Sequence, residues 1–585
     1  MKSLSYLNKY LIKYKWRLLF GVLCIIISNY FGVEMPKIVK GAVNDFIGKI
    51  NPNETFNNIA YLSLKLFGFY MLLSIGKGFF LFLTRQSIII VSRFIEFDLK
   101  NEVYEQYQKL NFSFYKKSKT GDLMNRISED VSQVRMYLGP GLMYTINLVV
   151  LFALCVTTML RINVSLTLIV LAPLPVLSFL IYKVSSKMNA YSKSVQIEQS
   201  LMSTIVQETF SGIRVIKAYL REKEMNQKFN DSADNYKAKT MKLVIVNALF
   251  MPTIVFLIGL SNLLAIYYGG LLTYSKQITP GDIVAFVYFI NMLTWPFASV
   301  GWVTSINQRA AASQERINEF LRIQPEIINT NENPLDQIAS IEFKNVSFKH
   351  ENAGIEAISN LSFSIKSGET LGIVGRTGSG KSTLLNLIMR QLDATSGEIL
   401  VNKENLKNIN LDAFRRQSGV VPQEVFLFSD TIGNNIKFGV NEREVDESEL
   451  IEVTKKAHVY HNIQEFSTGF ETILGERGVN LSGGQKQRIS IARALLRKPN
   501  LLLLDDCLSA VDTETEDIIL RSLAEEAKEN MAIIVSHRIS SLRFADKIIV
   551  LENGAKIEEG THEELISKAG IYSEMYEKQL ADSEK

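Results

Sequence analysis

Long apolar runs fill the first half of the chain and give way, after about residue 324, to short apolar runs alternating with polar segments. Roughly 20 predominantly apolar residues cross a bilayer as a helix. Six stretches meet that length, near 18–37, 59–84, 138–160, 163–184, 243–273 and 279–302. The pattern predicts an all-α six-helix transmembrane domain over 1–324. Little more than Arg161 and Ile162 separates the third and fourth spans, which makes a tight external hairpin. Between spans two and three, and again between four and five, about fifty residues mix both charges in a helical pattern. Such stretches are too long for loops. They predict membrane helices that continue into the cytoplasm and carry short transverse elements at their tips.

The flanks orient the first span. Lys2, Lys9, Lys13, Lys15 and Arg17 precede it with no acidic residue, and its apolar run continues to Met35 without a small-residue cleavage site. A retained span with a cytoplasmic N-terminus is expected, in a bacterial plasma membrane. Few polar residues interrupt the spans: Asn29 and Glu34 in the first, Lys65 and Lys77 in the second, Asn247 and Asn262 in the fifth, Asn291 in the sixth. Lys65 reads as a snorkelling side chain near a helix end, Lys77 as a candidate for an internal cavity. Pro325 to Gln337, PEIINTNENPLDQ, has the composition of a domain boundary, so 325–338 is read as a linker and 339–585 as a second domain.

Composition narrows the classes. The formal net charge is only +4, with no dense basic stripe, which argues against nucleic acid as a partner. Cys24, Cys155 and Cys507 lie far apart and make neither a metal-ligand spacing nor a disulfide framework. The spacing of His458 and His461 could put both on one helical face, but no nearby cysteine or third histidine completes a metal site.

The second domain carries the chemistry. Leu371 to Gly375 reads as a buried strand, runs into GRTGSGKST at Gly375 to Thr383, and is followed by the helical LLNLIMRQL. A Gly-rich turn alone is common, but G-x-x-x-x-G-K-[ST] between a strand and a helix is a phosphate loop. Gly375, Arg376, Thr377, Gly378, Ser379 and Gly380 would turn backbone N–H groups toward the phosphates of ATP, and the helix start at Lys381, Ser382 and Thr383 adds its positive dipole end. Lys381 then pairs with the β- and γ-phosphates and Ser382 ligates Mg²⁺. Further on, LLLLDD delivers two carboxylates to the end of an apolar strand: Asp505 is suited to hold Mg²⁺ through water, and Asp506 stands where a base for the attacking water is needed. The domain reads as an α/β phosphate-loop fold.

Between these motifs lies LSGGQ, Leu481 to Gln485, followed by KQRISIARAL; before it come VVPQE with Gln423 and GERG at Gly475 to Gly478, and after it SAVD ending at Asp512 and VSHR with His537. With ETFSGIRVIKAY at Glu208 to Tyr219 in the first half, the ordered set resembles an ATP-binding cassette exporter of the bacterial multidrug and lipid half-transporter type, over nearly the whole chain. The resemblance implies that Gln423 links Mg²⁺ and the attacking water to the membrane domain. It implies that Ser482, Gly483, Gly484 and Gln485 form a signature loop for ATP held by a different cassette, that Asp512 communicates between two sites, and that His537 touches the γ-phosphate. A second half-transporter chain is then an obligatory partner. GERG would lie near the tips of the cytoplasmic helices, for which Phe112 to Arg126 and Gln207 to Lys217 are the candidates.

Two positions depart from that pattern. Asp506 stands where most active members have glutamate; the shorter side chain withdraws its carboxylate by about one bond, and a misplacement of roughly 1 Å can cost about 10²-fold in rate. With LSGGQ intact, the expectation is a heterodimer whose partner supplies the glutamate, a homodimer being the other reading. In VSFKH, His350 replaces the aromatic residue expected to stack on adenine. The expected function is ATP-driven export of hydrophobic or amphipathic cargo, drugs or lipids, by alternating access. A nucleotide-gated switch with little turnover is the alternative.

Overall fold

The computed structural model describes residues 2–49, 56–329, 331–350, 354–440, 443–475, 478 and 480–583. Residues up to Lys109 together with Lys119–Ile323 form one compact unit, and Leu110–Ser118 together with the chain from Gln324 onward form another.

The first unit is helical throughout. A short α1 (Asn8–Lys13) precedes α2 (Lys15–Lys49) and α3 (Phe56–Thr84), which continues through a π-helical turn at Arg85–Ile89 into α4 (Ile90–Lys109). The brief α5 (Phe112–Lys117) groups with the second unit, so the first expected tip, Phe112 to Arg126, is divided between the two. Then come α6 (Leu142–Ile162), α7 (Val164–Leu171), α8 (Pro173–Ser211), the exposed turn of α9 (Ile213–Ala218), α10 (Glu222–Tyr274) and α11 (Pro280–Leu321).

Five stretches among the described residues are long and apolar enough to cross a membrane: Lys15–Ile47, Ile59–Lys109, Thr120–Ile162, Glu222–Tyr274 and Pro280–Leu321. The fourth expected span, 163–184, is instead divided between α7 and α8 at Ala172. The reason is the sequence APLP: Pro173 has no backbone N–H and opens a new helix rather than continuing the old one. The 53 residues of α10 extend about 80 Å, far more than the ~30 Å apolar core of a bilayer, as the charged stretches between spans predict. Phe286, Phe289 and Leu293 of α11 meet Cys155 and Met159 of α6 and Leu166 of α7 in the core of this unit. Outward, Leu64, Phe67, Leu72, Phe256 and Tyr267 stay exposed, a surface suited to lipid and not to water.

Cys24, Cys155 and Cys507 are all buried and free. The expected linker is packed rather than loose: Asn331 donates to the Asn408 carbonyl at 2.7 Å, and Ile338 is fully buried.

The second unit holds two sheets. An antiparallel one has the order β2 (Glu356–Lys366), β1 (Ser340–Lys349), β4 (Ser396–Val401), β5 (Glu404–Asn405). The other runs β10 (Ala555–Gly560), β9 (Lys547–Glu552), β3 (Thr370–Gly375), β8 (Met531–Val535), β7 (Leu501–Asp505), β6 (Ser418–Val421), parallel from β9 to β6 with β10 antiparallel at the edge. β3 is buried along its whole length and β7 along all but its last residue, as continuous apolar runs demand of strands covered on both faces. Register pairs Asp505 with Val535 and Gly375 with Leu551, so β3, β7 and β8 end on the same edge. Ligand chemistry in open α/β folds gathers at such an edge.

Candidate nucleotide site

β3 ends at Gly375 and α12 (Lys381–Ile388) begins six residues later. The turn between them requires glycine at two places. A Cβ on Gly375 would stand 2.2 Å from the Leu551 carbonyl oxygen, and Gly380, at φ +99°, would bring one to 2.2 Å from the carbonyl oxygen of Ala357. Arg376, Thr377 and Gly378 form the exposed rim, while Ser379 is buried. The Lys381 ammonium donates to the carbonyls of Gly375 at 2.7 Å and Arg376 at 3.0 Å. Burial pulls it below its ordinary pKa, against the opposing charges of Asp506 and Asp505.

Both carboxylates stand at the end of β7. Burial pushes the Asp505 carboxyl above its usual range; the Ser382 hydroxyl hydrogen-bonds to it and opposes the shift, the Asp506 charge adds to it, and Lys381 and His537 pull it back. Asp506 is only 8% exposed. Its backbone sits in the left-handed region at φ +46°, held by its N–H donating to the Val535 carbonyl at 2.8 Å. A non-glycine residue there is uncommon and concentrates at functional sites. The Asp506 carboxylate accepts from the Gln423 amide at 3.5 Å and from the His537 backbone N–H at 3.4 Å, both long for hydrogen bonds. Six residues spread over more than 150 positions, Lys381, Ser382, Gln423, Asp505, Asp506 and His537, therefore gather at one sheet edge.

These residues fit ATP and Mg²⁺. The buried Ser379 hydroxyl lacks a hydrogen-bond partner in the loop, the cradle is closed to any side chain at Gly375 and Gly380, and Asp505, beside a second carboxylate, would be relieved by a cation.

The remaining sequence candidates lie elsewhere. Ser482 caps α13 (Gly483–Leu496) in a reciprocal box: its hydroxyl accepts from the Gln485 N–H at 3.2 Å and its own N–H donates to the Gln485 side chain at 2.9 Å. Gly484 packs close to Ala510, where a Cβ would come 2.8 Å from the carbonyl oxygen. Ser482 and Gly483 are exposed. Asp512 caps α14 (Thr513–Ala527) through the Thr515 N–H at 2.9 Å, the bond that also holds its carboxyl below the usual range. Among the described residues no hydrogen bond joins Ser482–Gln485 or Asp512 to the Lys381 loop. The His350 ring stands edge-on to buried Phe348 at 4.9 Å, and burial followed by the Lys116 charge keeps it below its usual pKa. Of GERG, Glu476 and Arg477 lie outside the described residues.

Two supports of the site were missed in the sequence. The Gln579 side chain donates to the His537 carbonyl at 2.7 Å and accepts from the Ile539 N–H at 2.9 Å, clamping the histidine loop from the C-terminal end of the chain. Glu516, 3% exposed, takes Arg538 at 2.6 Å and the Ser541 hydroxyl. A carboxylate on the buried face of an amphipathic helix was the available signal for Glu516; a lone glutamine near a terminus gives none.

Comparison with known proteins agrees with this geometry. Residues 18–297 match the family model of the ABC transporter transmembrane region, and 358–509 that of the ABC transporter. The chain is 34% identical to the multidrug resistance-like ATP-binding protein MdlA of Buchnera aphidicola (subsp. Schizaphis graminum), covering 100% of this chain and 99% of that one. It is 31% identical to an ATP-dependent lipid A-core flippase of Syntrophus aciditrophicus, covering 96% and 92%. The solved structure of a bacterial Atm1-family ABC exporter with ATP bound shares the fold, with a TM-score of 0.78 at 23% identity over 96% of this chain and 99% of that one. With a phosphate loop and paired carboxylates on one sheet edge, both family models matched, and relatives above 30% identity covered over nearly their whole length, the chain belongs to the ABC transporter family.

Proposed function

We propose that this chain is an ATP-driven export half-transporter of a bacterial plasma membrane, moving hydrophobic or amphipathic molecules such as drugs or lipids by alternating access. The observation that carries the reading is the convergence of Lys381, Ser382, Gln423, Asp505, Asp506 and His537 on one sheet edge in a chain whose other unit is built of membrane-length helices. The names of two relatives, a multidrug resistance-like protein and a lipid A-core flippase, support the cargo class.

In this reading Gly375 to Thr383 hold the phosphates, and His350 meets the adenine. Ser382, Asp505 and Gln423 would hold Mg²⁺, which would supply charge neutralisation to the phosphates. Asp506 accepts the proton of the attacking water while His537 contacts the γ-phosphate. Ser482, Gly483, Gly484 and Gln485 face the nucleotide of a second chain, with Asp512 beside them. The exposure of Ser482, Gly483 and Asp512, and the absence of hydrogen bonds from these five residues to their own phosphate loop among the described residues, support that assignment. The long contacts of the short Asp506 carboxylate favour a weak own site and a heterodimer in which the partner provides the glutamate.

Steady-state ATPase activity of the chain alone in lipid nanodiscs, beside Lys381→Ala and Asp506→Glu, tests this. The expected result is slow turnover, raised by about 10²-fold in Asp506→Glu and lost in Lys381→Ala. Robust wild-type turnover would instead establish a competent homodimer. Absence of turnover in wild type and Asp506→Glu alike, with ATP still bound, would favour a nucleotide-gated switch.

A further inference from the structure

Lys77 sits on α3 in the apolar run of the second span, and its ammonium has no hydrogen-bond or ion-pair partner among the described residues. The side chain reaches across to α2 and α11. Its Nζ and Cε lie 3.4 and 3.5 Å from where a Cβ on Gly32 would stand, and the Met292 Cε lies 3.5 Å from the same point. A side chain at Gly32 would compete for the space the ammonium uses. The Ser28 hydroxyl donates to the Lys77 carbonyl at 3.1 Å, fixing α3 against α2 at this level. Glu34, the acidic residue of α2 nearest to Gly32 in sequence, is paired with Lys37 at 2.6 Å.

Depth gives this cation its meaning. Ser28, level with Lys77, lies about ten residues and therefore about 15 Å beyond Leu18, where the apolar run begins. The Lys77 backbone is thus near the middle of a hydrocarbon core about 30 Å thick, and the ammonium, beside Gly32 about 6 Å further along α2, still lies within that core. An ionisable group at such depth is costly and marks a ligand or ion path. Apolar walls flank it: Phe31 lies 2.9 Å from a Cβ position on Gly76 and meets Phe80 edge-on at 5.8 Å, and Met292 closes the α11 side.

We infer that the Lys77 ammonium is the counter-charge for an anionic group on the cargo, so that the transporter selects amphiphiles bearing a phosphate, carboxylate or sulfonate head and lays their tails against Phe31, Phe80 and Met292. This rests on the export reading above and names its substrate class.

The test uses the full chain in nanodiscs of zwitterionic lipid and two fluorescent amphiphiles with one common tail, a phosphate monoester and its trimethylammonium counterpart. Wild type should bind the phosphate tighter by about tenfold or more, the factor supplied by one charge-assisted hydrogen bond. Lys77→Gln should lose that preference and Lys77→Arg should keep it, with ATP binding and the thermal transition unchanged in both. Equal binding of the two heads by wild type, an undiminished preference in Lys77→Gln, or full displacement by inorganic phosphate alone would overturn the inference. ATP-dependent movement of the same pair in proteoliposomes separates it from the export reading. Selective binding without ATP-dependent movement would count against export and leave the role of Lys77 standing, whereas movement of both heads at equal rates would do the reverse.

Discussion

Gly380 shows how one atom decides nucleotide binding. Its φ of +99° strains any other residue, and a Cβ there would press on the Ala357 carbonyl oxygen at 2.2 Å, an atom of β2 that has no room to retreat. Gly380→Ala should abolish binding of a fluorescent ATP analogue to the full chain, whereas Gly378→Ala, which is strained at φ +83° but meets nothing within 4 Å, should weaken it less. The contrast is invisible in the sequence, where both glycines belong to the same motif. Asp506 repeats the lesson: the sequence shows that its carboxylate is short, but only the fold shows that it stands in a left-handed turn between Gln423 and His537.

Among the elements, the N-terminal helix α1 is fastened to α4 by two carboxylates, Glu102 and Asp98. Glu102 accepts from the Lys9 ammonium at 2.6 Å and from the hydroxyls of Tyr6 and Tyr10, while Lys13 pairs with Asp98 at 2.6 Å. Burial pushes the Glu102 carboxyl up, but the hydrogen bonds of Lys9, Tyr10 and Tyr6 outweigh it and leave the pKa below its ordinary value. A carboxylate lowered in the folded state stabilises above its unfolded pKa, about 4.3, and that stability is lost as pH falls through the lower folded value. Hydrogen-exchange protection over Lys2–Lys13, taken relative to the unstructured chain, should therefore be high near neutral pH, fall below about pH 4, and be lower at neutral pH in Glu102→Gln. Unchanged protection in Glu102→Gln at pH 7 would mean that the Lys13–Asp98 pair and the packing of buried Leu7 and Tyr10 hold α1 without Glu102. The sequence displayed α1 only as a basic flank, because a helix this short has no periodicity to read and its partners are some ninety residues away.

At the scale of the whole molecule, each site is expected to need two chains, since the signature at Ser482 is exposed and capped within its own helix. In the Asp506→Glu background, Lys381→Ala chains and Ser482→Arg chains should each be inactive. Co-reconstituted, they should regain turnover, because one composite site then joins an intact phosphate loop to an intact signature. Failure of the mixture to exceed either parent would mean that hydrolysis does not depend on a second chain's signature.

The sequence by itself determined the class of the protein: apolar runs of membrane length, a strand-loop-helix phosphate motif and its ordered companions depend on local periodicity and on residues a few positions apart, which a linear text preserves. It also placed Lys77 as a charge in an apolar run. What only the tertiary structure decided are relations between distant segments. The division of the fourth span at Ala172 follows from the backbone around Pro173, the clamp of Gln579 on the His537 loop joins residues 42 apart, and the approach of Lys77 to Gly32 and Met292 brings three helices together. Such contacts are set by packing, where a side chain's neighbours depend on how helices and strands meet, and no spacing along the chain records that.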